Sequence, residues 1–188
     1  MTSPNQKRAG GASHLRLPKG KQTVLGLYVT AAEAYDMWKD APDKVKVIDV
    51  RMPEEYAFVG HPEMAVNIPL AFIAYERKNG KITYAPKMNP EFVAEVKSLA
   101  GPNDTLLLTC RSGGRSAMAV NQLAAAGFKK AYNIVDGVEG DKVDDPESVF
   151  HGKRMKNGWK NSAPWVYDLD PEKFILEEAA AKQMAAAK

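Results

Sequence analysis

The chain has one cysteine in 188 residues, so no disulfide framework can hold the fold. Its three histidines, His14, His61 and His151, are scattered. With no second thiol, a zinc site is not expected, and no other metal or cofactor is implied. No apolar run approaches the length of a membrane span. The N-terminal stretch carries Lys7, Arg8, Arg16, Lys19 and Lys21 but lacks the apolar core of a secretory signal. The chain therefore reads as cytoplasmic, with a periplasmic site left open for a processed or engineered N-terminus. An excess of one charge is also missing. The 26 Lys and Arg against 23 Asp and Glu leave a formal +3 spread along the chain, which points to neither nucleic acid nor membrane as partner. There is no internal repeat.

What is present is the profile of a globular domain that can bury a core: 45% of residues are apolar and 26% charged. Residues 1–22 read as a solvated basic tail. Leu25 to Val29 suits a strand, and Thr30 with Glu33 forms a capping box ahead of AAEAYDMWKD. VKVIDV, from Val45 to Val50, reads as a buried parallel strand, and Pro53-Glu54-Glu55 opens a helix after it. Ala65 to Pro69 is a further short strand. Asn79-Gly80 predicts a hairpin excursion within residues 71–88. Asn89 to Glu91 caps a helix that Gly101-Pro102 ends.

Asp104 to Thr109 is the central strand, a helix follows from Arg115 until Gly127, and Ala131 to Val135 is the next strand. The alternation predicts an α/β fold: a mostly parallel central sheet with helices on both faces. The domain spans 23–168 and includes a long irregular segment. The last residues, 169–188, read as a helix capped by Asp170.

The stretch that carries chemistry is TLLLTC-RSGGRS, a strand, a loop opening on Cys110, and a helix start. Ligands of parallel α/β sheets bind beyond the carboxyl ends of strands, where Cys110 stands. A thiol attacks as its thiolate, so a nucleophilic cysteine needs surroundings that hold a negative sulfur. Gly113 and Gly114 allow the loop to turn its N–H groups inward, and the following helix aims its N-terminus at the same point. No Asp or Glu occurs between Asp104 and Asp136, whereas Arg111, Arg115, Lys129 and Lys130 do, which predicts a cationic, anion-accepting loop. An inert core cysteine would be an alternative, but glycines and arginines are poor company for one.

CRSGGRS resembles the active-site loop of the rhodanese family, the thiosulfate sulfurtransferases. Other pieces follow in that family's order: Ile48-Asp49-Val50-Arg51, Glu54-Glu55-Tyr56, Gly60-His61-Pro62 with Asn67-Ile68-Pro69, and Tyr132 to Gly137. The resemblance spans roughly residues 22–168 and implies a single rhodanese-like domain using a persulfide mechanism. Cys110 would take sulfane sulfur from a small anionic donor such as thiosulfate and pass it to a thiol or protein acceptor, with cyanide as acceptor in an assay. Arg111, Ser112, Gly113, Gly114, Arg115 and Ser116 would bind the donor and the persulfide. The alternatives are a persulfide carrier or sulfur-binding module for one partner protein, or a phosphatase or arsenate reductase of the same fold. The latter enzymes place five residues between cysteine and arginine. Here four separate Cys110 from Arg115, a ring better sized for sulfur.

Asp49 and Arg51 read as a structural ion pair, and His61 as a turn histidine with a structural hydrogen bond. Gly158 to Pro164 looks like the family's usual ending, displaced by an insert of about 139–157. That insert is either an acceptor-docking surface beside the loop or a solvated basic loop. The sequence leaves the oligomeric state open.

Overall fold

The computed structural model describes residues 17–174. In chain order these form β1 (Tyr28–Val29), α1 (Ala31–Asp40), β2 (Val45–Asp49), α2 (Pro53–Val59) and β3 (Val66–Asn67). A hairpin of β4 (Ala71–Lys78) and β5 (Lys81–Met88) follows, then α3 (Phe92–Leu99), β6 (Thr105–Thr109), α4 (Gly114–Ala125), β7 (Ala131–Ile134) and α5 (Trp159–Ser162). Local chemistry accounts for several boundaries. Thr30 accepts from the Glu33 N–H while Glu33 reaches back to the Thr30 N–H, which starts α1 as a complete capping box. Asn79 and Gly80 take φ of 51° and 76°, the left-handed pair that a tight hairpin turn needs. Asn89 accepts from the Glu91 N–H at 3.0 Å, entering α3.

Strands β1, β7, β6, β2 and β3 lie side by side in that order, every pairing parallel. Successive residues of a strand face opposite sides, so the apolar run of β6 feeds two cores. Leu106 and Leu108 pack with Phe92 and Val96 of α3 and Val120 and Leu123 of α4. Leu107 packs on the other side with Ala34 of α1, Tyr56 of α2 and Trp159 of α5. Each such buried leucine contributes about 1.5–3 kcal/mol relative to exposure. Chain order reverses between β2 and β6: one leads outward to β3, the other to β7. A crevice therefore opens at their carboxyl ends, and Cys110 follows β6 directly into it.

Part of the segment expected as a basic tail over 1–22 is packed on the body. Lys19–Lys21 form a 3₁₀ turn against the body, where Lys21 donates Nζ to the Val135 carbonyl at 2.8 Å and its own carbonyl accepts from Asn133 Nδ2 at 3.0 Å. Residues 1–16 lie outside the described residues, as do 175–188 of the expected C-terminal helix. Within reach of that expectation, the N–H groups of Lys173 and Phe174 bond the Asp170 carbonyl at 2.9 Å each.

The segment expected to be an insert begins and ends at two touching glycines. A Cβ on Gly158 would stand 2.3 Å from the Gly140 nitrogen, and one on Gly140 would stand 1.9 Å from the Asn157 carbonyl oxygen. Residues 141–157 thus leave and return at one point, a slightly later start than the sequence predicts. Inside, Arg154 donates to the Gly140 carbonyl at 2.7 Å, and Lys156 pairs with Asp144 at 3.2 Å, so part of the basic run is spent within the loop.

Candidate functional site

Cys110 is buried, 1% exposed. Its sulfur sits under the start of α4, accepting from the Gly113 N–H at 3.2 Å and facing Ser116 Oγ at 3.3 Å. Gly113 has φ 91°, and a Cβ there would lie 2.3 Å from the Val135 carbonyl oxygen, so only glycine lets the loop turn against β7's end. Gly114 to Ser116 form the first turn of α4, whose N–H groups lack intrahelical acceptors and face the loop end. Of the residues from Cys110 to Ser116, the structure brings the Gly113 N–H and Ser116 Oγ to the Cys110 sulfur.

Ser116 and Asn133 form a buried pair behind the sulfur. Asn133 donates Nδ2 to the carbonyls of Gly113 and Lys21, 3.0 Å each, which leaves its Oδ1 as acceptor for Ser116 Oγ at 2.6 Å. The single Ser116 proton is thereby directed to Asn133, and reaches Cys110 only if the hydroxyl rotates. Gly137 closes the loop from the other side. The N–H groups of Val138 and Glu139 bond the carbonyls of Cys110 and Arg111 at 2.8 and 3.0 Å.

The charge at the loop differs from the expectation. Arg115 grips Glu55 of α2 with both guanidinium nitrogens, one contact to Oε2 and one at 2.6 Å to Oε1. Arg111 donates Nε to Glu139 at 2.7 Å. The acid-free stretch of sequence is thus supplied with carboxylates from 60 residues before and 28 after. Burial pushes Glu55 up, but the Arg115 fork and its charge outweigh this and hold the carboxyl below its ordinary value. Burial likewise disfavours charged Arg115, and Glu55 more than restores it, with the Cys110 sulfur adding to the effect.

Asp49 and Arg51 are a structural pair. Both are buried, joined at 2.6 Å, and Arg51 also donates to the Gly60 carbonyl at 2.8 Å. Asp136 ties three elements: it accepts from the N–H groups of Ala31 and Gly158 at 2.8 and 2.9 Å. Burial raises its carboxyl above the ordinary value despite those donors. Glu139 and Lys21 carry no local signal for the site, and the Glu54-Glu55-Tyr56 piece is read from the sequence without a role for Glu55 at the loop. The Tyr132 to Gly137 motif is the corresponding signal for Asn133.

His61 is 1% exposed, stacked on Tyr56 with ring centroids 3.6 Å apart, its Nδ1 at 3.2 Å from the Tyr56 carbonyl. Burial lowers its basicity below the ordinary 6.5, only partly offset by that carbonyl. Below about pH 6.5 the unfolded chain binds a proton that the folded one resists. Stability is therefore full above that pH and is lost as pH falls. The Tm of the wild type should drop between about pH 7.5 and pH 5.5 more than that of His61→Gln. Equal drops would show that His61 is not the source.

A parallel α/β domain with one cysteine seated on a glycine-turned loop at the switch point is a recognisable class of thiol-bearing domain. The chain belongs to the rhodanese family: the model described as "Rhodanese-like domain" matches residues 30–143. It is 30% identical to an uncharacterised protein of Rickettsia conorii, over 74% of this chain and 96% of that protein. It is 39% identical to thiosulfate sulfurtransferase 18 of Arabidopsis thaliana, over 48% of this chain and 61% of that one. Among solved structures, Rv0390 from M. tuberculosis matches with a TM-score of 0.57 at 30% identity, over 74% of this chain and 96% of that chain. Among the described residues, no group of acids, histidines and cysteine could hold a metal, and no helix is long and apolar enough to cross a membrane.

Proposed function

We propose that this protein is a sulfurtransferase that carries sulfane sulfur as a persulfide on Cys110 and delivers it to a thiophilic acceptor. The observation that bears most weight is the sulfur's seat: Cys110 Sγ at 3.2 Å from the Gly113 N–H, at the N-terminus of a 12-residue helix. A terminal sulfur added to Sγ would extend toward the orphan N–H groups of the first turn, which favour negative charge. Family membership and the thiosulfate sulfurtransferases among its relatives support the same reading. Gly113, Gly114 and the Arg115 and Ser116 N–H groups form the cradle, with Ser116 Oγ 3.3 Å from the sulfur on its inner side.

Intact-mass analysis tests this directly. The protein incubated with thiosulfate or with a thiol persulfide should gain one sulfur atom, removable by cyanide as thiocyanate. No adduct with either donor, nor with a cysteine desulfurase as source, would overturn it.

A persulfide carrier serving one acceptor protein is the second reading, favoured by the root of the insert, where Glu139 holds Arg111 of the loop. Because Gly140 and Gly158 touch, deleting 141–157 and joining them should leave the domain folded and still loaded by donor. Loss of transfer to a protein acceptor, with transfer to cyanide kept, would support docking by the insert. Retention of both would rule docking by the insert out.

A further inference from the structure

The hairpin of β4 and β5 leaves the body after Leu70 and returns at Asn89, whose N–H bonds the Leu70 carbonyl at 2.9 Å. Ala71 and Phe72 at its base are buried, but every residue from Tyr75 to Tyr84 is exposed. The strands stay in register along their whole length, from Ala71 with Met88 to Lys78 with Lys81. Side chains alternate between the two faces of such a ribbon, so the register sorts them. Ile73, Tyr75 and Arg77 share one face with Ile82, Tyr84 and Pro86, while Glu76, Lys78, Lys81 and Thr83 share the other. The first face is apolar apart from Arg77, and its Tyr75, Tyr84 and Ile82 are 75%, 74% and 73% exposed. A two-stranded ribbon is marginal in water by itself, and its apolar face needs a cover.

We infer that the cover is a second copy of this chain. Two hairpins stack apolar face on apolar face about a two-fold axis near the Tyr75–Tyr84 pair, their tips pointing opposite ways. Charge selects this occupant. The lysines lie on the far face of each ribbon, so the stack keeps the like charges of the two copies apart across two sheets spaced about 10 Å. Arg77 stands near the tip, which puts the two guanidinium groups at opposite ends of the stack. An acidic partner drawn by charge would instead meet the lysine face and leave the tyrosines wet. Area agrees. A tyrosine buries about 150–250 Å², so two that are three-quarters exposed, together with Ile82, offer roughly 500 Å² per copy. Two copies then remove roughly 1,000 Å² from water, enough for a weak dimer and less than the ~1,600 Å² of a standard interface. The same residues serve on both sides, so the assembly closes at two chains. Association in the micromolar range follows.

Sedimentation equilibrium of the full chain from about 1 to about 500 µM tests this, and the mass should rise from one chain towards two. A single-chain mass throughout would overturn the inference. Y75T/Y84T removes the rings but keeps residues suited to strands, and should raise the dissociation constant about a hundredfold or more. K78T/K81T, on the opposite face, should not raise it. A dimer that survives Y75T/Y84T would be held by the open edge of β4 or by another surface, and equal weakening by the two variants would deny the apolar face its role. Either result overturns the inference. A third chain guards against a hairpin that simply unfolds. Replacing residues 74–85 by Asn-Gly joins the paired Ile73 and Pro86 through a tight turn and keeps the buried base. This chain should stay folded by circular dichroism and remain a monomer at every concentration. Dimers formed by it would overturn the inference as well.

Discussion

Cys110→Ser should abolish sulfur loading, by at least roughly a thousandfold, while the domain stays folded. The loss follows from the element. A hydroxyl is far less ionised than a thiol at neutral pH, and oxygen has little affinity for the outer sulfur of a donor. No other cysteine in the chain can take over the role. Retention of the fold follows from the site, where serine can keep the bond from Gly113 N–H and the neighbourhood of Ser116 that the sulfur has now. The swap places a hydroxyl beside the apolar cluster to which Cys110 belongs, at a cost of about 1 kcal/mol, or roughly 2–4 °C in Tm. Intact mass after thiosulfate and after cysteine persulfide, together with thermal melting, checks both halves. A sulfur adduct on the serine variant would move the chemistry away from Cys110.

The second large effect is expected at a residue with no side chain. Gly137 has φ 62°, and a Cβ there would stand 2.4 Å from the Cys110 carbonyl oxygen, 2.6 Å from Ser112 N and 2.7 Å from Arg111 C. All three are backbone atoms, so no side-chain rotation relieves the clash. Residues 137–139 would have to withdraw from the loop, stretching the bonds from Val138 and Glu139 to Cys110 and Arg111. Left-handed alanine costs about 1–2 kcal/mol, and each weakened bond about 1 kcal/mol. Gly137→Ala should therefore lose about 3 kcal/mol or more, a fall in Tm of roughly 6–12 °C, with slower sulfur loading because the loop shifts. Gly152→Ala is the control: φ there is 75°, but nothing lies within 4 Å, so only the conformational cost remains. Equal Tm changes in the two variants would refute the steric argument.

The strand-loop-helix around Cys110 was legible because each part obeys a short-range rule. An apolar β-branched or leucine run, two adjacent glycines and a helical stripe are all read within a dozen residues. The same holds for the Thr30–Glu33 capping box and the Asn79-Gly80 turn, both of which stand where local chemistry puts them. The short edge strand β1 was harder. Leu25 to Val29 is apolar apart from Gly26, yet only Tyr28 and Val29 pair in register with β7, with the Leu27 carbonyl adding one bond from Asn133 N–H, and that limit belongs to the neighbour rather than to the segment.

Charge around the loop was misread for a related reason. An acid-free window of sequence predicts a cationic site only if nothing else approaches it. Glu55 arrives because β2 pairs with β6 in a register that sets Asp49 beside Thr109, so α2 starts next to the cysteine loop. Glu139 arrives because Gly137 turns the chain after β7 back along residues 110 and 111. The sequence by itself determined the parallel α/β class, the cysteine at a strand end and the glycine-turned loop, since all three are written in neighbouring residues. Only the tertiary structure decided the state of Arg111 and Arg115, the Asn133–Ser116 bond behind the sulfur and the closure of the insert at Gly140 and Gly158. Each of those joins groups far apart along the chain. Coulombic and hydrogen-bond energies depend on distance in space, which sheet register sets and sequence spacing does not.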